Sequence, residues 1–300
     1  MIEIPRILCP IDFSVTSRQA WNHARAIAGW YGSTLTALYV CHRGNATEAQ
    51  LQSTQLPVPL ELSDADRQQL AAAFSPWLHA ATSEGVTAEA RFDVGLSPAG
   101  PILEHAKTLP ASLIVMGTHG RGGFERLMLG SVAEKVLRKA DCPVLTVPAP
   151  ATGATIPPYK RILCPIDFSP SSLAALRFAF SMAKESDALL TVLHVLDWPT
   201  HADLFDARFD TPEFRREFER STRHRIDTLI SEDVRTWCDP AAVIRYGKAY
   251  VAILELADEE HIDLIVMGVR GRLAVNLMLF GSTTNQVVRQ ASCPVLTLKQ

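Results

Sequence analysis

The stretch LIVMGTHGRGGFERLMLGSVAEKVLRKADCPVLTV, Leu113 to Val147, reads in order as buried strand, glycine-rich loop, helix and buried strand. Leu113 to Met116 is a short continuous apolar run, the mark of a strand covered on both faces, and Gly117 ends it. Gly117, Gly120 and Gly130 bracket a loop, and Ser131 opens a helix with Val132, Val136 and Leu137 on one face. Glycine amides beside a helix N-terminus can donate to phosphate oxygens, and the helix dipole favours negative charge there. The stretch therefore offers an anion cradle. Two plainer readings stand beside it. Glycine also simply permits turns, and Ser131 with Glu134 has the spacing of a capping box, in which the hydroxyl does no more than cap the helix.

Recurrence favours the cradle. Gly268, Gly271, Gly281 and Ser282 repeat the same spacings in LIVMGVRGRLAVNLMLFGSTTNQVVRQASCPVLTL, although Arg272 to Phe280 shares little with Arg121 to Leu129. A loop that keeps its glycines and its Ser while its other residues drift is held by something that contacts backbone and hydroxyl. RILCPIDFS likewise occurs at Arg6 to Ser14 and at Arg161 to Ser169. The 300 residues are one unit duplicated. We expect a first domain over 1–148, an Ala, Pro, Thr and Gly-rich linker over 149–158 and a second domain over 159–300, each long enough to bury a core of its own.

Outward from the loop, Ile7 to Ile11 is the first strand, with Asp12 at its carboxyl end, and Ser14 has the place of an N-cap for a helix closing near Gly32. The apolar face of that helix includes Ala20, Trp21, Ala24, Ile27 and Ala28. Ser169 is followed by Pro170, the pairing of an N-cap with proline at the first helical position. Second strands run over Leu35 to Val40 and Leu189 to Val195, and third strands over Thr87 to Asp93 and Ala242 to Tyr246. Helices lie between them at Asp64 to His79 and Asp210 to Ile230, and further helices at Ala99 to Thr108 and Val251 to Glu259 lead into the glycine-loop strands. Each copy is thus β-α-β-α-β-α-β-α-β. The fold class is α/β, with two tandem doubly wound, five-stranded, mostly parallel sheets of Rossmann-like kind. In such sheets ligands bind beyond the carboxyl ends of the strands, where the strand order reverses. Asp12, Val40 and Gly117 lie there, and so do Asp167, Val195 and Gly268. A carboxylate at Asp12 could accept from a ribose hydroxyl or an adenine amino group, and the Val40 backbone could read a base edge. The plainer role for Asp12 is a carboxylate near a helix N-terminus.

The net charge of −3, with Lys and Arg scattered, disfavours nucleic acid as a partner. With no signal peptide before the first strand and no apolar run near the ~18 residues of a membrane helix, the expectation is a cytoplasmic protein with no membrane partner. Of the six cysteines none forms a C-x-x-C pair, so they read as small hydrophobes and not as a metal site. Phe205, Phe209, Phe214 and Phe218, with Trp198 and Trp237, read as core packing of the second domain, with a partner surface as the other option.

These residues resemble the universal stress protein family in its tandem form, over nearly the whole chain apart from the linker and the stretches after the second strands. Gly, two residues, Gly, nine residues, Gly-Ser matches the pattern of the family's ATP-binding members, and it follows PIDFS and precedes CPVLT in both copies. The resemblance implies that Asp12 and Val40 hold the adenine and ribose side while Gly117, Gly120, Gly130, Ser131 and the Val132 amide hold the phosphates. Asp167, Val195, Gly268, Gly271, Gly281, Ser282 and Thr283 would do the same in the second domain. The neighbours Pro10, Ile11, Met116, His119 and Arg121, with Pro165, Ile166, Met267, Arg270 and Arg272, complete the expected nucleotide-binding set. ATP is the implied cofactor, with Mg²⁺ accompanying the triphosphate. Also implied are pairing of the two domains through their last strands, Val144 to Val147 and Val295 to Leu298, and a possible homodimer.

The function expected is that of an ATP-binding stress-response regulator acting through nucleotide-dependent conformation or partner binding. A slow ATPase or nucleotide-dependent transferase is the alternative, and a nucleotide-free interaction module the second. No catalytic residue is assigned: the P-loop lysine motif is absent, and His119, the one nearby base, becomes Arg270 in the second copy. Gly122-Gly123 becomes Leu273-Ala274, which stiffens the second loop, so the first site is the one expected to fill if only one does.

Overall fold

The computed structural model describes residues 2–42, 62–120, 129–149, 157–196, 211–238, 240–269 and 281–299. The chain folds into two compact units, divided between Pro157 and Pro158. In the first, strand β1 is Arg6–Pro10, helix α1 Val15–Tyr31, β2 Thr34–His42, α2 Asp64–Ser83, β3 Ala88–Gly95, α3 Ala99–Thr108, β4 Leu113–Gly117, α4 Ser131–Lys139 and β5 Val144–Val147. In the second, β6 is Arg161–Pro165, α5 Pro170–Ser186, β7 Leu189–Leu196, α6 Pro212–Leu229, α7 Glu232–Arg235, β8 Ala241–Tyr246, α8 Ala249–Glu259, β9 Leu264–Gly268, α9 Ser282–Gln290 and β10 Val295–Leu298.

Within the first unit the strands lie in the order β3-β2-β1-β4-β5, and within the second β8-β7-β6-β9-β10. The described pairings inside each unit are all parallel, which sharpens the expectation of mostly parallel sheets. Parallel neighbours need helical crossovers, so both faces of the sheet are covered and the inner strands are apolar throughout. Ile7, Leu8 and Cys9 of β1 and Leu113, Ile114 and Val115 of β4 are all at most 1% exposed. The chain walks β1 to β2 to β3 on one side, then crosses back to β4 and β5. The order therefore reverses between β1 and β4, and between β6 and β9.

Local chemistry fixes the helix that starts at this reversal. Ser14 caps α1 by accepting from the Ser17 amide, and Gly32 closes the helix at φ 63°. Ser169 caps α5 in the same way with Pro170 in the first turn, and there Asp187 takes the left-handed closing position at φ 51°. The buried face of α1 contains Ala20, Trp21, Ala24, Ile27 and Ala28. Helix α2 is longer than its sequence signal, running past His79 and through Pro76 to Ser83; Ser63 and Asp66 start it with a reciprocal capping box. Helix α7 follows α6 as a separate turn beyond Ile230, where the helix read from the sequence ends.

Candidate functional site

The carboxyl ends of β1 and β4 are tied together by a short chain of polar contacts. Asp12 Oδ1 accepts from the Ser14 amide at 3.0 Å and from Ser14 Oγ at 2.5 Å. Thr16 Oγ1, 2.9 Å from Ser14 Oγ, donates to the His119 carbonyl at 2.5 Å. Between Asp12 and Ser14 stands Phe13 with φ 64°, a left-handed conformation that costs an L-residue with a side chain about 1–2 kcal/mol. That turn brings Ser14 back onto the carboxylate. The second unit repeats the device: Ser169 donates to Asp167 Oδ1 through its amide (3.0 Å) and hydroxyl (2.5 Å), and Phe168 has φ 62°. The plainer role foreseen for Asp12 is thus partly realised, since one of its oxygens organises the start of α1.

The glycines of the loop are required by packing. A Cβ on Gly117 would stand 2.9 Å from Thr16 Cβ, and one on Gly268 would stand 2.7 Å from the Ser171 carbonyl carbon. At Gly130 and Gly281 it would stand 2.9 Å from the Thr118 oxygen and 2.6 Å from the Val269 oxygen. At Gly120 it would meet Asp12 Oδ2 at 2.6 Å. Retention of Gly117, Gly130, Gly268 and Gly281 therefore has a structural cause of its own, which the sequence argument had assigned to a ligand, whereas the contact at Gly120 is with the tip of a side chain that can shift.

The helix starts supply what the glycines alone do not. Gly130 and not Ser131 is the N-cap of α4, and among the described residues no side chain caps its first turn. Glu134 does not reach back as in a capping box; it pairs with Arg138 at 2.8 Å. The capping-box reading of Ser131 is therefore corrected. Ser131 stands exposed in the first turn, next to half-buried Val132. Helix α9 is the same, with Gly281 as N-cap, no side-chain cap among the described residues and Ser282 exposed. First-turn amides have no partner within the helix, and each pair of these helix ends stands at a strand-order reversal.

Around this shared frame the residues differ. Thr118 Oγ1 lies 2.9 Å from His119 Nδ1, and His119 Nε2 is buried without a hydrogen-bond partner among the described residues. Val269 replaces Thr118. In the first unit Phe13 packs against Tyr39, Phe74 and Trp77 at 5.5, 4.9 and 5.9 Å between centroids. In the second, Phe168 packs against His194 at 4.9 Å, and Arg225 lies 3.8 Å over its ring. His194 Nδ1 donates to the Ile166 carbonyl at 2.7 Å. Pro10 ends β1 and Ile11 follows it, Val40 lies two residues before the end of β2 and Met116 one before the end of β4; Pro165 and Ile166 stand likewise at β6, and Val195 and Met267 one residue before the ends of β7 and β9. Arg121, Arg270, Gly271 and Arg272 lie outside the described residues, as do Trp198, Phe205 and Phe209. Phe218 and Trp237 are 44% and 37% exposed, so the core reading of that aromatic series fails for both. The sequence reading missed Thr16 and Thr118. The Thr16 hydroxyl acts across the fold and the Thr118 hydroxyl on the ring of the next residue, and nothing in the local pattern marks either.

Cys9 and Cys164 are fully buried, and burial pushes both thiols far above the ordinary range. Among the described residues no helix is long and apolar enough to cross a membrane.

A sequence model of the universal stress protein family matches residues 3–148 and again 158–299. A universal stress protein of Methanocaldococcus jannaschii is 34% identical over 151 residues, covering 48% of this chain and 82% of that protein. One of Mycobacterium bovis is 29% identical over 198 residues, covering 63% of this chain and 62% of its own length, so the aligned part spans less than two thirds of that relative. The crystal structure of a universal stress protein from Archaeoglobus fulgidus superposes with a TM-score of 0.66 over 98% of both chains, at 24% identity, and speaks to the fold.

Proposed function

The chain belongs to the universal stress protein family, and from that premise we propose that it is a stress-response regulator that binds ATP, with Mg²⁺ on the triphosphate, at the two strand-order reversals. The observation that carries the reading is the pair of uncapped helix starts, α4 and α9, each opening on a glycine with an exposed Ser in its first turn. Uncapped amides and a helix dipole suit a phosphate chain. Ser131, the Val132 amide and Gly120 would hold phosphates on one side, with Asp12 Oδ2 and the Val40 backbone on the ribose and adenine side. Ser282, Thr283, Asp167 and Val195 would do so in the second unit. ATP occupancy would act through the starts of α4 and α9. Pairing of the units through β5 and β10, or of two chains, would read that state out; an edge strand without a neighbour invites a partner.

The test is to purify the protein without added nucleotide, denature it with acid, and identify and count what is released. About one or two ATP per chain is expected if each Rossmann-like unit holds at most one. Substitution of the glycines would disturb packing, so the assignment uses Ser131→Glu and Ser282→Glu. A carboxylate in the first turn favours the helix but repels phosphate, so each variant should stay folded and lose one nucleotide. Absence of release, and no binding at millimolar ATP, would leave the interaction module as the account.

A further inference from the structure

We propose that Thr118 and His119 work as a pair in the first unit, with the Thr118 hydroxyl holding the imidazole so that its Nε2–H is presented to a phosphate of the bound nucleotide. The inference rests on the nucleotide reading above and names a recognition element that the second unit lacks. His119 is held from several directions before its ring is considered. The Thr118 amide donates to the Val147 carbonyl at 2.9 Å, and its carbonyl accepts from the Gly130 amide at 2.8 Å. The His119 carbonyl accepts from Thr16 Oγ1. A Cβ on Gly130 would come within 3.7 Å of His119 Cα, so the ring is rooted beside the start of α4.

Thr118 is 4% exposed, and its hydroxyl lies 2.9 Å from Nδ1. With that hydroxyl as donor, the neutral ring carries its proton on Nε2. Nε2 is buried and has no hydrogen-bond partner among the described residues, an arrangement that costs free energy unless a ligand acceptor completes it. A phosphate oxygen is such an acceptor, and the uncapped start of α4 favours the same charge.

The second unit is the control. Its backbone bonds are the same, Val269 amide to the Leu298 carbonyl at 2.8 Å and Gly281 amide to the Val269 carbonyl at 3.0 Å. There Thr-His becomes Val269-Arg270. The buried hydroxyl disappears where the ring disappears, and its near-isostere Val fits the same backbone. The hydroxyl at 118 thus serves the ring, not the fold.

The experiment measures ATP and adenosine affinity by calorimetry on the full chain, in a Ser282→Glu background so that the first site alone reports. Thr118→Val, the residue that the second unit carries, should weaken ATP binding about tenfold, the lower end expected for a hydrogen bond to a charged group. Adenosine, which has no phosphate, should be unaffected, and Thr118→Ser should restore ATP affinity. In ¹⁵N spectra the His119 Nε2 signal, identified by its loss in His119→Asn, should move on ATP addition in the parent and not in Thr118→Val. Unchanged ATP affinity in Thr118→Val, an equal fall for ATP and adenosine, no rescue by Ser, or an Nε2 signal indifferent to ATP would each overturn the pair. A parent chain that binds neither ligand would overturn the nucleotide reading itself, and this inference with it.

Discussion

In the first unit Phe13 is the rim of an aromatic cluster, with Phe74 at its centre between Trp77 and Phe92; in the second, the equivalent Phe168 lies under the guanidinium of Arg225. Both phenylalanines keep the same left-handed backbone, and both following serines bond back to an Asp. The backbone that shapes the mouth of the site is thus shared, while the packing behind it has been rebuilt. Duplication has held the Asp–Ser framework at the start of the first helix of each unit and let its apolar and cationic surroundings change, so the units should respond unequally to equivalent perturbations.

The largest inequality is expected at this cluster. Phe74 is fully buried, and Phe74→Ala should cost the first unit about 4 kcal/mol, as for other large-to-small changes at buried aromatics. Arg225 is exposed, and Arg225→Ala should cost the second unit only about 1 kcal/mol, the worth of an exposed cation–π contact. Urea unfolding of each variant, with hydrogen exchange to localise the loss, tests the difference. Similar losses would mean that the Arg225 stack supports its unit as fully as the aromatic cluster does.

Next are the glycines. A Cβ at Gly268 would meet three backbone atoms of Ser171 and Ser172 at 2.7–2.9 Å, whereas at Gly117 its two nearest contacts are Thr16 side-chain atoms at 2.9 and 3.0 Å. Side chains yield more readily than backbone. Gly268→Ala should therefore cost about 3 kcal/mol and Gly117→Ala about half of that, by the measure of overpacked cores. The reverse ranking in thermal or urea midpoints would show that the α1 start is the more rigid of the two.

The cysteines that open the last strands give a chemical contrast. Cys142 is half-buried, while Cys293 is 3% exposed, and burial, with Asp263 and Asp258 nearby, pushes its thiol up to about 12. At pH 7.5 hardly any Cys293 thiolate exists, so a maleimide should label Cys142 at least about a hundredfold faster. Labelling followed by peptide mass spectrometry reads the ratio directly. Equal rates would mean that β10 opens to solvent.

The sheet was legible because apolar runs bounded by glycine and the repeat itself fix strands and their order. The site was legible only at the residues that carry motif chemistry. Ser131 illustrates the limit: its spacing to Glu134 fits a capping box, yet Gly130 takes the cap because its amide is already bonded to the Thr118 carbonyl, and Glu134 finds Arg138 instead. Phe13 and Phe168 gave no sign of their positive φ, since an aromatic side chain there is held by tertiary packing against local preference. Helix α7 lies beyond Ile230, where the helix read from the sequence ends, because the four residues Glu232 to Arg235 are too few to show a helical period.

The smallest expected effect probes the loop most directly. Thr284 Oγ1 donates to the Gly268 carbonyl at 3.0 Å and ties the first turn of α9 to the end of β9; the first unit carries Ala133 at that place. Thr284→Ala should lower the stability of the second unit by about 1 kcal/mol, the worth of one ordinary hydrogen bond. It should also speed exchange of the α9 first-turn amides, because the tie is local. If the tether pre-forms the second cradle, the same change should weaken ATP at that site, read in a Ser131→Glu background, and Ala133→Thr should tighten the first. If affinity stays constant while exchange rises, the tether is structural only. The differences between the two sites then reduce to the pair at 118 and 119 and the loop glycines.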